Sequence, residues 1–256
     1  MLILKFRMSS PLITIVTVVL NDYKNIERTI LSVLNQTYSN IQYLVMDGAS
    51  TDGTTKVLKK YSDRLFYLSE KDNGIYDAMN KSLNLAKGEW ILFMNCGDIF
   101  YDENVIQKVF STYIDEGESL ICGDVIYKYP NRKSVLIKSS ERVKENKYMP
   151  SCHQAMFTRL SCLKEANYET RYRIISDFIF CYDLYMAGKN FLLINDIIAV
   201  YDATGISSNV SLRKKEMSHF YLRKKKYFKA YVFFFKYLHS LVYDIIKIHG
   251  ILKSFI

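Results

Sequence analysis

The sequence predicts an α/β protein with a mostly parallel central sheet flanked by helices, followed by a basic, aromatic helical tail. Three observations carry that expectation. Residues 12–20 form a near-continuous apolar, β-branched run, as in a strand buried on both faces. Apolar strands and helix-patterned stretches then alternate as far as Asp98, at the spacing of right-handed βαβ crossovers. The charge is also partitioned. Residues 1–212 carry 24 Lys+Arg against 24 Asp+Glu, whereas residues 213–256 carry 11 Lys+Arg against Glu216 and Asp244, which is the whole net charge of +9.

The elements follow in order. After the first strand, Asn21 and Asp22 offer a cap to a helix whose Ile26, Ile30, Val33 and Leu34 share one face. Residues 41–46 read as a second strand ending in Asp47-Gly48. Ser50, Thr51 and Asp52 offer caps to a helix carrying Val57, Leu58 and Tyr61. A third strand is expected over 65–68, a loop over 69–74, a helix over 75–86 and a fourth strand over 90–94. Beyond Asp98 the pattern predicts a helix over 103–116, strands at 120–129 and 134–138, and a polar charged segment over 139–147. The stretch 152–157, with Cys152-His153-Gln154 ahead of a strand, a helix over 175–187 ending at Gly188, and two strands at 191–194 and 197–201 complete it.

At 256 residues and 49% apolar content the chain can bury one large core, and the expected organisation is a domain over 1–212 plus a tail over 213–256. Five scattered cysteines without a C-x-x-C pair argue against a disulfide framework or a zinc site and fit a reducing, cytoplasmic compartment. The apolar N-terminus is broken by Lys5, Arg7 and Pro11, which is not a signal-peptide pattern, and no uncharged run approaches the ~20 residues of a membrane span.

Ligands of open parallel sheets gather beyond the carboxyl ends of the strands, where Asp22, Asp47 and Asp98 fall. Helix capping accounts for Asp22 and Asp52. Asp47 is different, because Gly48-Ala49-Ser50 intervene before a helix and leave its carboxylate free to accept from a ligand such as a nucleobase N–H. Neither G-x-x-x-x-G-K-[ST] nor G-x-G-x-x-G follows the first strand, so a phosphate-cradling glycine loop is not the device in use. A diphosphate then needs another positive charge, and a divalent ion on Asp98 would supply it.

The stretches "ITIVTVVLNDYKNIERTILSVLNQTYSNIQYLVMDGASTDGT", "SEKDNGIYDAMNKSLNLAKGEWILFMNCGD", "CHQAMF" and "ISDFIFCYDLYMAG" together resemble family 2 glycosyltransferases of bacterial surface-polysaccharide biosynthesis, inverting enzymes with the GT-A fold. The resemblance covers about 200 residues in the right order. It implies a nucleotide-sugar half over residues 12–98 and an acceptor half over 99–212. It places Asp47 at the nucleotide base, usually uracil, and Asp72, Asn73, Gly74 and Asp77 at the nucleotide and donor sugar. Asp98 falls on the last acid of the family's metal motif and would hold Mn2+ or Mg2+. Asn95 and Gly97 stand where acids often stand, which implies a site leaning on the donor diphosphate. Asp177, eleven residues before Gly188, falls on the Asp of the family's Glu-Asp motif and would be the general base, with Ser176 replacing the Glu. His153 falls in the His-Gln stretch near the cleft and would contact diphosphate or acceptor.

The tail mixes Lys and Arg with 11 aromatics, including Phe233-Phe234-Phe235. A solvated helix face does not explain that run, and no nucleic-acid-binding fold precedes it. An interfacial helix on an anionic membrane surface fits, with packing of its apolar face on the body as the competing expectation. The combined expectation is transfer from a UDP-sugar to a lipid-linked saccharide acceptor by a peripheral protein at the inner face of the membrane. The competing function is a catalytically silent sugar-nucleotide-binding scaffold.

Overall fold

The computed structural model describes residues 10–112, 117–145, 148–205 and 209–248. Expectations for the N-terminal leader, for the last turn of the helix drawn to 116 and for the end of the tail fall on residues 1–9, 113–116 and 249–256, outside the described residues.

The first half follows the alternation read from the sequence: β1 (Ile13–Val19), α1 (Tyr23–Leu34), β2 (Ile41–Asp47), α2 (Thr54–Lys60), β3 (Phe66–Ser69), α3 (Ile75–Leu83) and β4 (Trp90–Phe93). All four strands are parallel, with β1 between β2 and β4. Every residue of β1 is buried, because helices cover both faces of the sheet. Ile13, Ile15 and Val19 meet Ile26, Ile30 and Val33 of α1 on one face, while Val16 and Val18 meet Met79 and Leu83 of α3 on the other. The register pairs Val19 with Asp47 and Val16 with Phe93, so the turns after β1, β2 and β4 lie along one edge.

The second half departs further from the pattern. It comprises β5 (Ile99–Phe100), α4 (Val105–Thr112), β6 (Glu118–Tyr129), β7 (Arg132–Ile137), α5 (Ser139–Glu145), a 3-10 turn (His153–Ala155), β8 (Met156–Arg159), α6 (Leu160–Ala166), α7 (Ser176–Met186), β9 (Asn190–Asp202), α8 (Val210–Arg223) and α9 (Tyr227–Ile248). The sheet order is β3-β2-β1-β4-β8-β6-β9-β5, with β7 on β6. The polar segment expected over 139–147 contains a helix, started where the Ser139 N–H donates to Asp124 Oδ1 at 2.8 Å. The Cys152-His153-Gln154 stretch precedes a strand as expected, running through the 3-10 turn into β8, and α6 was not foreseen. The two strands expected at 191–194 and 197–201 are one, because Asn195-Asp196 looks like a turn but is absorbed by register shifts against β6. Gly188 does end α7: at φ +71° it lets its own N–H reach the Tyr185 carbonyl and the Lys189 N–H reach that of Leu184.

The tail is not detached from this core. Residue 212 lies inside α8, whose Phe220 and Tyr221 are buried, Phe220 with its ring against Phe178 and Tyr182 of α7. Buried Glu216 accepts from the backbone N–H groups of Arg173 (2.7 Å) and Ile174 (3.0 Å), which fixes the segment entering α7. α9 buries Ala230 and stacks Phe233 on Tyr221, with ring centroids 5.5 Å apart. Among the described residues no helix is long and apolar enough to cross a membrane.

Candidate active site

Asp47 ends β2 and is 2% exposed. Its Oδ2 accepts from Ser69 Oγ (2.5 Å) and the Ser50 N–H (3.1 Å), whereas its buried Oδ1 has no donor. An unpaired buried acceptor is costly, so that Oδ1 is open to a donor from outside the chain. Gly48 lets Asp72 come close beside it: a Cβ there would stand 2.6 Å from Asp72 Oδ2, which would have to shift. Asp72 Oδ1 accepts from the Gly74 N–H, and Asp77 Oδ2 from the Asn73 N–H, both at 2.9 Å. Asp72, Asn73, Gly74 and Asp77 therefore shape the loop entering α3 and lie outside the cavity that holds Asp98.

That cavity, about 250 Å³, opens beyond the ends of β1 and β4. α1 pins its floor: Thr29 Oγ1 accepts from the Gly97 N–H and donates to the Asp98 carbonyl, and Arg28 donates to the Gly97 carbonyl at 2.6 Å. Asp98 is 4% exposed. Its Oδ1 accepts from the Asp202 N–H (2.8 Å) and its Oδ2 from Gln154 Nε2 (2.7 Å). Burial pushes its pKa up to about 6, against the pull of those two hydrogen bonds and of His153. A carboxylate made costly by desolvation, in a cavity also lined by Asn95 with its orphaned buried Oδ1, suits a divalent cation, which would give the acid a counter-charge and the amide oxygen a partner. Among the described residues no three His, Cys, Asp or Glu side chains form a metal cage, so the remaining ligands would come from a bound diphosphate.

Asp177 sits in the first turn of α7 with both oxygens engaged. Oδ1 accepts from Tyr76 Oη (2.9 Å) and the Phe178 N–H (2.8 Å), and Oδ2 accepts from His153 Nδ1 (2.9 Å). The carboxylate can only accept, so the imidazole proton is on Nδ1, and Nε2 takes a hydrogen bond from Asn95 Nδ2 at 2.8 Å. A chain Asp177–His153–Asn95 thus runs beside the adjacent contact Gln154–Asp98, and all five line the cavity.

Asp22 departs from its expected role. It makes no side-chain cap to α1; its carboxylate accepts from Asn25 Nδ2 at 2.8 Å and faces the cavity. Asp52 takes over at that end, accepting from the Tyr23 N–H (3.0 Å) with Oδ2 and from Thr54 with Oδ1. Three contributors escaped the sequence reading: Tyr76, Gln154 and Asp202. Tyr76 and Gln154 lie inside motif stretches already singled out, so their only signal was adjacency; Asp202 had none.

The fold and the site together define an α/β protein with a carboxylate-lined cavity at the carboxyl edge of its sheet, and comparison with known proteins makes it particular. The profile of Glycosyl transferase family 2 matches residues 14–188, and the chain belongs to that family. It is 28% identical over 218 residues to a PGL/p-HBAD biosynthesis glycosyltransferase of Mycobacterium bovis, covering 81% of this chain and 83% of the relative. Its fold is similar to that of the mannosyltransferase PcManGT from Pyrobaculum calidifontis, solved with GDP-Man and Mn2+ (TM-score 0.68, 17% identity, 86% of this chain). It is similar also to residues 1–349 of TarS from S. aureus, solved with UDP-GlcNAc (TM-score 0.64, 18% identity, 81% of this chain). The chain spans 65% and 63% of those two structures' lengths.

Proposed function

We propose that the chain transfers a sugar from a UDP-sugar to a hydroxyl of a lipid-linked saccharide, with inversion at the sugar carbon, in surface-polysaccharide synthesis of the O-antigen or capsule type. The observation that carries this is the convergence of Asp98 and Asp177 on one cavity at the sheet's carboxyl edge, joined through His153 and Gln154. Asp47 receives the base through its free Oδ1, and Asp98 with Asn95 holds a divalent ion, Mn2+ or Mg2+, which when bound neutralises the diphosphate. Asp72, Asn73, Gly74 and Asp77 border the donor through the loop they shape. Asp177 takes the acceptor hydroxyl proton as the sugar–phosphate bond breaks on the opposite face, and His153 fixes that carboxylate's orientation. The solved PcManGT and TarS complexes support a nucleotide-sugar donor and, for PcManGT, a manganese partner.

Thermal unfolding with a panel of nucleotide sugars, each with and without Mn2+, tests the donor. UDP-sugars should raise the melting temperature and more so with Mn2+; a panel with no effect, or a larger effect from purine nucleotides, would reject UDP. The exposed Tyr227, Phe228 and Tyr231 of α9, among eleven cations in residues 213–256, support a peripheral seat on anionic lipid at the cytoplasmic face. The full chain should sediment with anionic vesicles and not with neutral ones, with salt weakening the association in part. Equal recovery with both kinds, or with neither, would remove the electrostatic anchor.

A further inference from the structure

A second cavity, about 1100 Å³, meets the first at His153, Gln154, Ile174, Asp177 and Tyr201. It lies between the β6–β7 hairpin, the start of α7 and the two tail helices, and its charge is one-sided. Arg132, Arg142, Arg213, Lys214, Lys229 and Lys236 line it, against Asp177 as its one carboxylate among the described residues. None of these six cations forms an ion pair with a described residue, although Lys81, Arg159, Arg223 and Lys224 elsewhere in the chain do. Five of them rest instead on hydroxyls and rings. Arg142 donates to Tyr127 Oη (3.0 Å) and Lys214 to Ser240 Oγ (3.1 Å). Arg132 lies 3.5 Å from the Tyr129 ring centroid, Lys229 5.3 Å from that of Tyr221 and Lys236 5.4 Å from that of Phe233.

Cations with no ion pair among the described residues, set beside aromatic walls, focus a positive potential and hold their donors ready for an anion. The volume exceeds a single sugar. The apolar lining, from Met149 and Phe178 out to Phe228, leads to a ring that is 80% exposed. On the basis of the transfer reaction above, we propose that this cavity is the acceptor site and that it recognises a phosphate-bearing amphiphile, the phosphate on the tail cations and the chain leaving along α9. The tail helices then form a wall of the active site as well as a surface near the membrane.

Farnesyl diphosphate serves as the probe, with farnesol and inorganic diphosphate as controls, on the full chain by calorimetry with saturating UDP present to block the donor site. Farnesyl diphosphate should bind at least about tenfold tighter than either control, since it alone offers both the charge and the chain. The variant Arg213→Gln/Lys214→Gln/Lys229→Gln/Lys236→Gln should lose at least about tenfold for farnesyl diphosphate while its UDP affinity and melting temperature hold. Equal affinity for farnesol would leave an apolar groove without phosphate recognition, and equal affinity for inorganic diphosphate would leave a free-anion site; either overturns the proposal. So would an unchanged variant, or one losing UDP in parallel, which would assign the cations to the donor. Failure of wild type to bind UDP is a separate result that bears on the donor; the three ligands compared without UDP still decide the acceptor site.

Discussion

Asp177→Asn lowers turnover by a factor on the order of 10² or more while leaving nucleotide-sugar affinity within about twofold. The expectation depends on the substitution being absorbed by its neighbours. Asparagine keeps the oxygen that accepts from Tyr76 Oη and the Phe178 N–H, so the start of α7 keeps its contacts. It puts an N–H2 where His153 Nδ1 now donates. The imidazole can answer by moving its proton to Nε2, and Asn95 can turn its amide so that its orphaned Oδ1 accepts that proton. The hydrogen bonds on either side of the imidazole then survive, but no carboxylate remains to take a proton and the histidine is in the opposite tautomer. Steady-state kinetics with a binding titration separate the two quantities. A turnover within a few-fold of wild type would make Asp177 a structural anchor for His153 and Tyr76 and place the base elsewhere.

The same residues show what a linear sequence can disclose. Strand and helix alternation to Asp98 was legible because each element is set by short-range apolar periodicity and by turns of Asp, Asn and Gly. Asp47 and Asp98 were legible because their positions at strand ends follow from that alternation. The partners that give these acids their properties were not: Tyr76 reaches Asp177 across 101 residues, and the Asp202 N–H reaches Asp98 across 104. No local pattern encodes such pairings. The tail was legible only as a pair of alternatives. Its basic, aromatic composition fits a lipid-facing helix or one packed on the body, and only the structure shows buried Glu216 tying α8 to two backbone amides ahead of α7. Cutting the chain before Leu212 would strip Phe220 and Tyr221 from the core, so the membrane question has to be asked of the intact protein.

Asp98→Asn should abolish transfer, by a factor on the order of 10² or more, and should also invert a stability relation that activity alone cannot report. Burial raises the Asp98 pKa from 3.8 to about 6. Below about pH 4 the acid is protonated folded and unfolded alike. Between about pH 4 and 6 the folded state alone keeps the proton, so its contribution to stability falls as pH rises through that window. Above about pH 6 the cation-free fold carries a cost of about 3 kcal/mol, from a shift of about two units at ~1.4 kcal/mol each. Asparagine never ionises and escapes that cost. Its N–H2 meets Gln154, whose buried Oε1 is unpartnered and can turn to accept, while the Asp202 N–H keeps its acceptor. With metal chelated at pH 7, Asp98→Asn should therefore melt higher than wild type, by on the order of 5–10 °C, and the difference should vanish near pH 4. Adding Mn2+ with UDP at pH 7 should reverse the order, because the cation gives the buried carboxylate its counter-charge in wild type and finds only an amide in the variant. UDP affinity that is indifferent to chelator in wild type and equal in Asp98→Asn would sink the metal assignment and leave Arg173, the cation lining that cavity, to hold the diphosphate.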